Sequence, residues 1–238
     1  MRGSPGTRAA AATTMTDPPA GPLLDLGAGT GLWSDRLARW LAVPVIAVEP
    51  ASAMLTVARR KRLRDVTLLQ ARAEALPLRD DACRSAWLST VVHHVSDMSA
   101  AAAQIRRIVT AGGTVWVRNS FVDQPSCDVH PLLFFPSARR VAAAFPTMIE
   151  VIEVFAAAGL RLQHRFAPDE IVADTRTAFV HRLCRRADSL LQHIDDGEFD
   201  RGITHPPTHP PTHPRARAWA SRQPSAPVVY APDLLVFT

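Results

Sequence analysis

The stretch PLLDLGAGTG, residues 22–31, combines one acidic side chain with three glycines at alternate positions. Apolar residues flank Asp25, and an amphipathic helical pattern, LWSDRLARWL, follows at once. Glycines permit a tight turn and let the backbone approach a ligand closely, while the first turn of a helix offers N–H groups without helical partners. A strand, a glycine-rich turn and a helix in this order therefore predict a ligand site.

The glycine spacing separates this loop from the two common phosphate-binding loops. Gly27, Gly29 and Gly31 are spaced G-x-G-x-G, whereas the dinucleotide fingerprint is G-x-G-x-x-G. Neither Leu32 nor Ser34 supplies the later glycine, and no Gly-Lys-Ser/Thr triplet follows as a P-loop requires. The loop is therefore not typical of a pyrophosphate site.

Three further side chains could act at the same edge of a sheet. Glu49 ends the apolar run VPVIAVE, eighteen residues after Gly31, and its two carboxylate oxygens suit the two hydroxyls of a ribose. His93 and His94 follow the fourth predicted strand, where ligands bind in parallel sheets. Histidine titrates near neutral pH, so either imidazole is a candidate base, although isolated histidines are more often structural.

These residues lie in an alternation of short apolar runs and helical patterns, which predicts a parallel sheet with crossover helices. The predicted strands of this part are 23–26, 43–49, 66–69, 85–88 and 114–117. The predicted helices are 33–41, 51–61 and 100–109, the last stopped by Ala111-Gly112-Gly113.

The pattern loosens after the fifth strand. It predicts a helix over 147–158 capped by Gly159, a strand over 161–166, a long helix over 173–194, and strand character at 228–230 and 234–237, as a final pair or one bulged strand. The repeat THPPTHPPTHP, residues 204–214, favours an extended linker, so we predict a disordered insertion over about 204–225. Its histidines are too far apart in an extended chain for a closed metal site, and we predict no metal.

Length and composition set the remaining expectations. The 238 residues suit one domain over 22–238, preceded by a disordered lead-in over 1–21 in which Met15 is an alternative start. No run reaches the length of a membrane helix and no secretory h-region occurs, which favours the cytoplasm. The three cysteines share no short spacing, which argues against a disulfide framework or a cysteine zinc site.

The positive charge is almost entirely arginine, and its densest cluster is RRKRLR, residues 59–64. That cluster falls where a predicted helix ends, so cations complement the helix dipole and face solvent. The formal net charge of +5 does not by itself favour nucleic-acid binding.

Four motifs in order carry a resemblance to a known family. The stretches LLDLGAGTG, VIAVEPASAML, ARAEALPL and WLSTVVHHVSD resemble motifs I to IV of class I S-adenosylmethionine-dependent methyltransferases. The subset most similar is the small-molecule group that includes ubiquinone/menaquinone-type C-methyltransferases, and the similarity covers about residues 22–120. The resemblance implies an α/β, Rossmann-like doubly wound, mostly parallel seven-stranded sheet with an antiparallel final strand.

The resemblance also implies which residues meet the cofactor. Backbone at Gly27, Ala28 and Gly29 would pass under the methionine part, and Asp25 would orient the loop or meet the ammonium through water. Glu49 would bind the ribose, and Ala73, by its backbone N–H, and Glu74 would edge the adenine ring. The predicted cofactor contacts are Asp25, Gly27, Ala28, Gly29, Thr30, Gly31, Glu49, Pro50, Met54, Ala73, Glu74 and Ser89. Many relatives have Asp at the position of Arg72, to accept from the adenine amino group, and this chain departs from them.

The expected activity is transfer of the methyl group of S-adenosylmethionine to a small-molecule acceptor, with His93 or His94 as the base if one is needed. A second hypothesis is a cofactor-binding protein without catalysis, because only about twenty low-complexity residues precede the first strand where relatives have a helical lid. That lid would be missing unless 121–145 or the long later helix covers the sulfonium. A nucleic-acid methyltransferase ranks last, since STVVHH stands where the Asn/Asp-Pro-Pro-Tyr/Phe signature would be. We predict no membrane partner.

Overall fold

A computed structural model describes residues 5–15, 21–124, 133–186, 189–203 and 216–238. These residues fall into two compact units, where the sequence predicted a single domain. The first, which we call the sheet unit, comprises the described parts of Pro5–Asn119 together with Pro146–Pro168 and Pro232–Thr238. The second, the helical unit, comprises the described parts of Ser120–Phe145 and Asp169–Ala231.

The sheet unit is built on a seven-stranded sheet. Its strands are β1 (Leu23–Leu26), β2 (Val45–Val48), β3 (Val66–Leu69), β4 (Cys83–Ser89), β5 (Val109–Asn119), β6 (Leu162–Phe166) and β9 (Asp233–Phe237). Their order is β3-β2-β1-β4-β5-β9-β6. The pairings among β1 to β5 are parallel, whereas β9 runs antiparallel to both β5 and β6. The predicted Rossmann-like sheet with an antiparallel final strand is thus confirmed.

Helices alternate with these strands, and all those described except the first were predicted from the apolar patterns. They are α1 (Pro5–Thr14), α2 (Leu32–Leu41), α3 (Ser52–Arg60), α4 (Met98–Ile108) and α6 (Met148–Ala157). The central strands are nearly continuous apolar runs because both faces of a parallel sheet are covered, and all four residues of β1 are buried. Thr147 and Glu150 form a reciprocal capping box that starts α6.

Helix α1 lies where the sequence predicted a disordered lead-in, so that prediction is wrong for residues 5–14. Ala10 and Ala11 are buried in a core cluster of the sheet unit. Thr14 Oγ1 also accepts a hydrogen bond of 2.8 Å from the indole N–H of Trp116. A short alanine-rich segment therefore orders because it packs, and composition alone did not reveal this.

The junction between α4 and β5 also differs from the prediction. The helix ends at Ile108 and the strand begins at Val109, so the two glycines at 112 and 113 lie inside β5 and do not stop the helix. A Cβ atom at Gly113 would lie 2.3 Å from the backbone oxygen of Arg84. Close approach of neighbouring backbones explains that glycine better than helix termination does.

The helical unit holds short elements around an apolar cluster. They are α5 (Pro136–Ala142), β7 (Glu170–Ala173), α7 (Arg176–Leu183), a 3-10 turn (Ser189–His193), α8 (Asp196–Ile203), α9 (Ala216–Arg222) and β8 (Val228–Tyr230), with β7 and β8 paired antiparallel. Phe134, Phe135, Phe179, Leu183 and Leu191 are buried in the cluster. This unit was the part predicted least well.

Three predictions for this unit are wrong. In place of the long helix expected over 173–194, the structure has the last residue of β7, Ala173, then helix α7, which the Thr175 side chain caps, and then a 3-10 turn. Residues 216–222 of the expected disordered insertion form α9, in which Ala216 and Ala220 are buried; the repeat at 204–214 lies outside the described residues. The strands at the end belong to two different sheets. Within the described residues, no helix is both long and apolar enough to cross a membrane.

Candidate functional site

A cavity of about 440 Å³ opens at the carboxyl ends of β1, β2 and β3 and beside the turn after β4. This is the edge at which parallel α/β sheets bind ligands. The residues that line it are Leu26, Gly27, Gly29, Glu49, Pro50, Ala51, Met54, Ala71, Arg72, Ala73, Glu74, Thr90, Val91, His94 and Val95. All of them belong to the sheet unit.

The three glycines of the loop serve different purposes. A Cβ at Gly29 would meet no atom within 4 Å, so this backbone faces open cavity. A Cβ at Gly27 would lie 2.2 Å from Val91, and one at Gly31 would lie 2.4 Å from Leu63. All three have positive φ, of 72°, 56° and 76°. Gly27 and Gly31 are therefore required by packing as well as by conformation, and Gly29 leaves room for a ligand.

Glu49 connects the end of β2 to the glycine loop. Its Oε2 accepts a hydrogen bond of 2.9 Å from the backbone N–H of Gly29, and its Oε1 accepts one of 3.0 Å from the N–H of Ala51. The side chain is almost fully buried yet lines the cavity. A carboxylate offers about four lone-pair sites, so both oxygens keep capacity for further donors. Glu49 thus fixes the loop and presents acceptors to the cavity.

Asp25 does not line the cavity but is buried behind the glycine loop. It is buried at the end of β1, and its Oδ2 accepts a hydrogen bond of 2.5 Å from the hydroxyl of Ser34 in the first turn of α2. Burial raises the pKa of Asp25 to about 7, against the lowering effect of the Ser34 hydrogen bonds and with a further rise from the nearby charge of Glu49. Asp25 therefore ties strand to helix and orients the loop from beneath.

The turn after β3 closes one end of the cavity. Glu74 Oε1 accepts hydrogen bonds from the N–H and hydroxyl of Ser96, at 3.1 and 2.9 Å, and from the N–H of Asp97 at 3.3 Å. Burial raises the pKa of Glu74, but these bonds and one from its own N–H outweigh it and lower the pKa to about 2. Arg72 donates to the Ser96 hydroxyl at 2.6 Å. The carboxylate of Glu74 is therefore ionised and occupied.

The two histidines face different surroundings, as their adjacency in the sequence suggests. His94 is exposed and lines the cavity, whereas His93 is half-buried and does not. Burial, aided by the charge of His94, lowers the pKa of His93 to about 4, and a hydrogen bond with Asn119 opposes this. His93 is thus a neutral, weakly basic packing residue at neutral pH, and His94 is the imidazole that can meet a ligand.

The structure brings many of the predicted site residues to one wall. Those that line the cavity are Gly27, Gly29, Glu49, Pro50, Met54, Ala73, Glu74 and His94. Those that do not are Asp25, Ala28, Thr30, Gly31, Ser89 and His93. Thr30 is held by Lys61 through its carbonyl at 2.7 Å and its hydroxyl at 2.8 Å. Ser89 accepts a hydrogen bond of 3.1 Å from Arg118 instead of facing the cavity.

The site prediction missed several wall residues. These are Leu26, Ala51, Ala71, Arg72, Thr90, Val91 and Val95. The two that follow β4 had a signal, since they belong to the STVVHH stretch at the strand's end. Thr90 is bent to φ 56°, which directs the turn after β4 along the cavity. Arg72 was noted in the sequence as a departure from relatives, but not as a wall residue. Leu26, Ala51, Ala71 and Val95 are apolar neighbours whose residue types carry no chemical signature.

Comparison with known proteins shows what the part of the chain that carries this cavity is similar to. Residues 24–117 match a family model described as a methyltransferase domain. This part of the chain is similar to the methyltransferase domain of that family. It is 36% identical over 108 residues to the ubiquinone/menaquinone biosynthesis C-methyltransferase of Acidiphilium cryptum, a match that covers 42% of each chain. It is 38% identical over 97 residues to the malonyl-[acyl-carrier protein] O-methyltransferase of Serratia marcescens, covering 41% of this chain and 37% of that one.

The two comparisons with curated relatives are thus partial: the chain spans about two fifths of their lengths. The fold extends further than the sequence match. A crystal structure of a putative methyltransferase from an antibiotic biosynthesis pathway of Anabaena variabilis superimposes with a TM-score of 0.71 at 16% identity, covering 98% of this chain and 96% of that one. At such low identity the likeness shows the fold alone.

The cofactor of this family is S-adenosylmethionine, and two features of the cavity fit it. The loop backbone at Gly29 has an open side where a side chain would otherwise stand. The Glu49 carboxylate at the end of β2 lines the same cavity and has spare acceptor capacity for vicinal hydroxyls.

Proposed function

We propose that this methyltransferase moves the methyl group of S-adenosylmethionine to a small-molecule acceptor in the cavity at the carboxyl edge of its sheet. The observation that carries the proposal is the placement of Gly29 and Glu49 together on the cavity wall, joined by a hydrogen bond of 2.9 Å. At the loop, backbone without a side chain lies open to the cavity, and at the strand end a carboxylate lines it. The methionine part and the ribose of the family's cofactor would contact these two features.

The wall residues would divide the cofactor among them in the order of the strands. The glycine loop after β1 would take the methionine part, because only there does bare backbone face the cavity. Glu49 after β2 would accept from the ribose hydroxyls. The turn after β3, with Ala73 and Glu74, would border the base, while Pro50 and Met54 would cover the nucleoside from the α3 side. Asp25 would act as a positioning residue through Ser34.

The chemistry asks little of the protein beyond alignment. When bound, the sulfonium supplies a methyl group to a nucleophile in line with the breaking bond and leaves as a neutral thioether. The chain's own part is to hold donor and acceptor close and to exclude water. His94 is the wall residue that can accept a proton from a hydroxyl or an acidic carbon. His93 is not suited to that role, because its pKa is lowered to about 4.

The relatives methylate different atoms, so they support a small-molecule acceptor without choosing its class. One is named for C-methylation in quinone biosynthesis and the other for O-methylation of a malonyl carrier conjugate. Both reactions are compatible with a cavity whose polar side chains are few and whose one exposed base is an imidazole.

A turnover assay tests the proposal. The full chain is incubated with S-adenosylmethionine and panels of phenols, β-dicarbonyl compounds, carboxylic acids and amines, and the release of S-adenosylhomocysteine is measured by mass spectrometry. We expect acceptor-dependent release that saturates with one panel and that is strongly reduced in Glu49→Ala when the cofactor concentration is near the dissociation constant of the unchanged chain. Saturable cofactor binding without release from any panel would instead identify a cofactor-binding protein without catalysis.

A further inference from the structure

The end of the cavity at the turn after β3 carries an arginine side chain, Arg72. In the sheet order β3-β2-β1, the turn after β3 lies beyond Glu49 on the side away from the glycine loop. A nucleoside whose ribose meets Glu49 therefore extends its base toward Ala71, Arg72 and Ala73. Two polar side chains belong to the wall there: the carboxylate of Glu74 and the guanidinium of Arg72, which has only hydrogen-bond donors to offer.

The acceptors near Arg72 are already in use. Glu74 Oε1 accepts three hydrogen bonds from Ser96 and Asp97, and its Oε2 lies 3.5 Å from Arg72 Nε. The carbonyl of Arg72 accepts from the N–H of Ala75 at 3.2 Å, and that of Pro50 accepts from Gln70 Nε2 at 3.0 Å. Each of these carbonyls already takes one donor, whereas the exposed guanidinium offers donors only, which the amino group at position 6 of adenine, itself a donor, cannot use.

The Arg72 guanidinium is also held in place. Its Nη2 donates to the Ser96 hydroxyl at 2.6 Å, and the same hydroxyl donates to Glu74 at 2.9 Å. This chain of two hydrogen bonds anchors one edge of the guanidinium while 65% of the side chain stays exposed. A guanidinium matches the O6 and N7 acceptors of a 6-oxopurine, whereas adenine's N6 and N7 are matched by an amide.

We propose that Arg72 reads position 6 of the purine with a hydrogen-bond donor, so that this subsite binds a 6-oxopurine nucleoside at least as well as adenosine. The inference rests on the proposed function, since it assumes that the cavity holds the nucleoside of S-adenosylmethionine. It names Arg72 as a specificity-determining residue and predicts that the amino group of adenine adds no affinity here.

Paired titrations test the inference. S-adenosylhomocysteine and S-inosylhomocysteine, which differ in the base by an amino-to-oxo change at C6 and by the hydrogen that this change places on N1, are titrated calorimetrically into the full chain and into Arg72→Asp. We expect the inosyl compound to bind the unchanged chain within threefold of the adenosyl compound or more tightly. In Arg72→Asp the ratio should shift about tenfold toward the adenosyl compound, because an acceptor replaces the donor. Solvent exposure of the side chain keeps the expected shift at this size.

Two further variants keep the result interpretable. Arg64→Asp makes the same charge change at an exposed arginine outside the cavity, and it should leave the ratio unchanged. Arg72→Gln supplies an amide without placing a second carboxylate beside Glu74, and it should shift the ratio in the same direction by about threefold if Arg72→Asp is poorly folded.

Each outcome has one meaning. A preference of the unchanged chain for the adenosyl compound above threefold, or a ratio that neither Arg72 variant shifts, overturns the inference and leaves the proposed function standing. Failure of the unchanged chain to bind either compound overturns the proposed function, and the inference with it.

Discussion

The sheet unit and the helical unit are stabilised and specified in different ways. In the sheet unit, the candidate site is made by backbone at successive strand ends, and the family match at residues 24–117 falls wholly inside it. In the helical unit, short elements converge on an aromatic cluster in which Phe135 stacks on Phe199 with ring centroids 5.6 Å apart. The first unit is specified by local motifs, and the second by contacts between distant residues.

The contrast predicts that single changes should affect ligand binding in one unit and stability in the other. Replacing Glu49 by Ala removes the acceptor for the N–H groups of Gly29 and Ala51, and with it the acceptor that we propose for the ribose. We expect it to weaken S-adenosylhomocysteine binding by about 1.5–3 kcal/mol, the range for hydrogen bonds to charged groups. Calorimetry measures this, and Glu49→Gln, which keeps one acceptor oxygen, should fall between. A loss of only a few tenths would mean that Glu49 merely ends its strand.

The helical unit offers a matched pair within α8. A Cβ at Gly202 would lie 2.2 Å from the buried ring of Phe135, whereas one at Gly197 would meet only polar side-chain atoms at 3.1 Å or more. Gly202→Ala should lower the free energy of unfolding by about 1–3 kcal/mol through overpacking. Gly197→Ala should be neutral or stabilising, because alanine favours a helix. Chemical denaturation of both variants gives the comparison, and equal effects would show that the cluster repacks freely.

The pH dependence of stability should also arise in the sheet unit, from the buried Asp25 and the half-buried His93, whose contributions oppose each other. The pKa of Asp25 is about 7 when folded, above its unfolded value of 3.8, so the folded state holds the extra proton between these values. Stability from Asp25 therefore falls as pH rises from about 4 to 7. The pKa of His93 is about 4, below its unfolded 6.5, so stability from His93 rises over about pH 4 to 6.5.

Single substitutions should separate the two contributions. In Asp25→Asn, unfolding experiments should show stability that rises with pH over this range, since His93 remains. In His93→Gln, they should show stability that falls, since Asp25 remains. The unchanged chain should lie between the two. If both variants keep the pH profile of the unchanged chain, neither group titrates as its burial implies.

The smallest expected effect concerns His94, the candidate catalytic base. His94 lines the cavity, yet transfer from a sulfonium to a reactive acceptor needs alignment more than proton removal. We expect His94→Ala to lower turnover about tenfold or less, with cofactor affinity unchanged. His181→Ala, an exposed histidine in α7 of the helical unit, is the control and should leave turnover unaffected. A loss of a hundredfold or more confined to His94→Ala would show that a base is required.

The sequence predicted the structure accurately where the conformation and burial of the backbone restrict which residue types can occur. The bounds of β1 and β3 are as predicted, and Gly29, Glu49 and Ala73 lie on the cavity wall. A strand buried on both faces must be apolar, and a loop that approaches a ligand must lack side chains, so both leave a readable pattern. Glu49 could be found from its place at the end of an apolar run, eighteen residues after the last glycine of the loop.

The rest depended on packing that no local pattern records. The sequence placed two histidines near the site but could not say that His93 packs and His94 faces the cavity. It predicted one helix over 173–194, because the apolar spacing does not show that Ala173 ends a strand paired with Val228. Helix α1 forms from an alanine-rich segment because Ala11 is buried against other elements of the sheet unit.

The central claim, that the glycine loop of the sheet unit holds the cofactor, is tested most directly by titrating S-adenosylhomocysteine into the full chain, Gly29→Val and Gly112→Val. Both glycines have positive φ and open space where a Cβ would stand, but only Gly29 lines the cavity, so the variants share the backbone strain and differ in the site. We predict saturable micromolar binding, about −8 kcal/mol, to the unchanged chain and to Gly112→Val. Gly29→Val should not bind while keeping the melting temperature of Gly112→Val. Equal binding by the two variants would contradict the site as described.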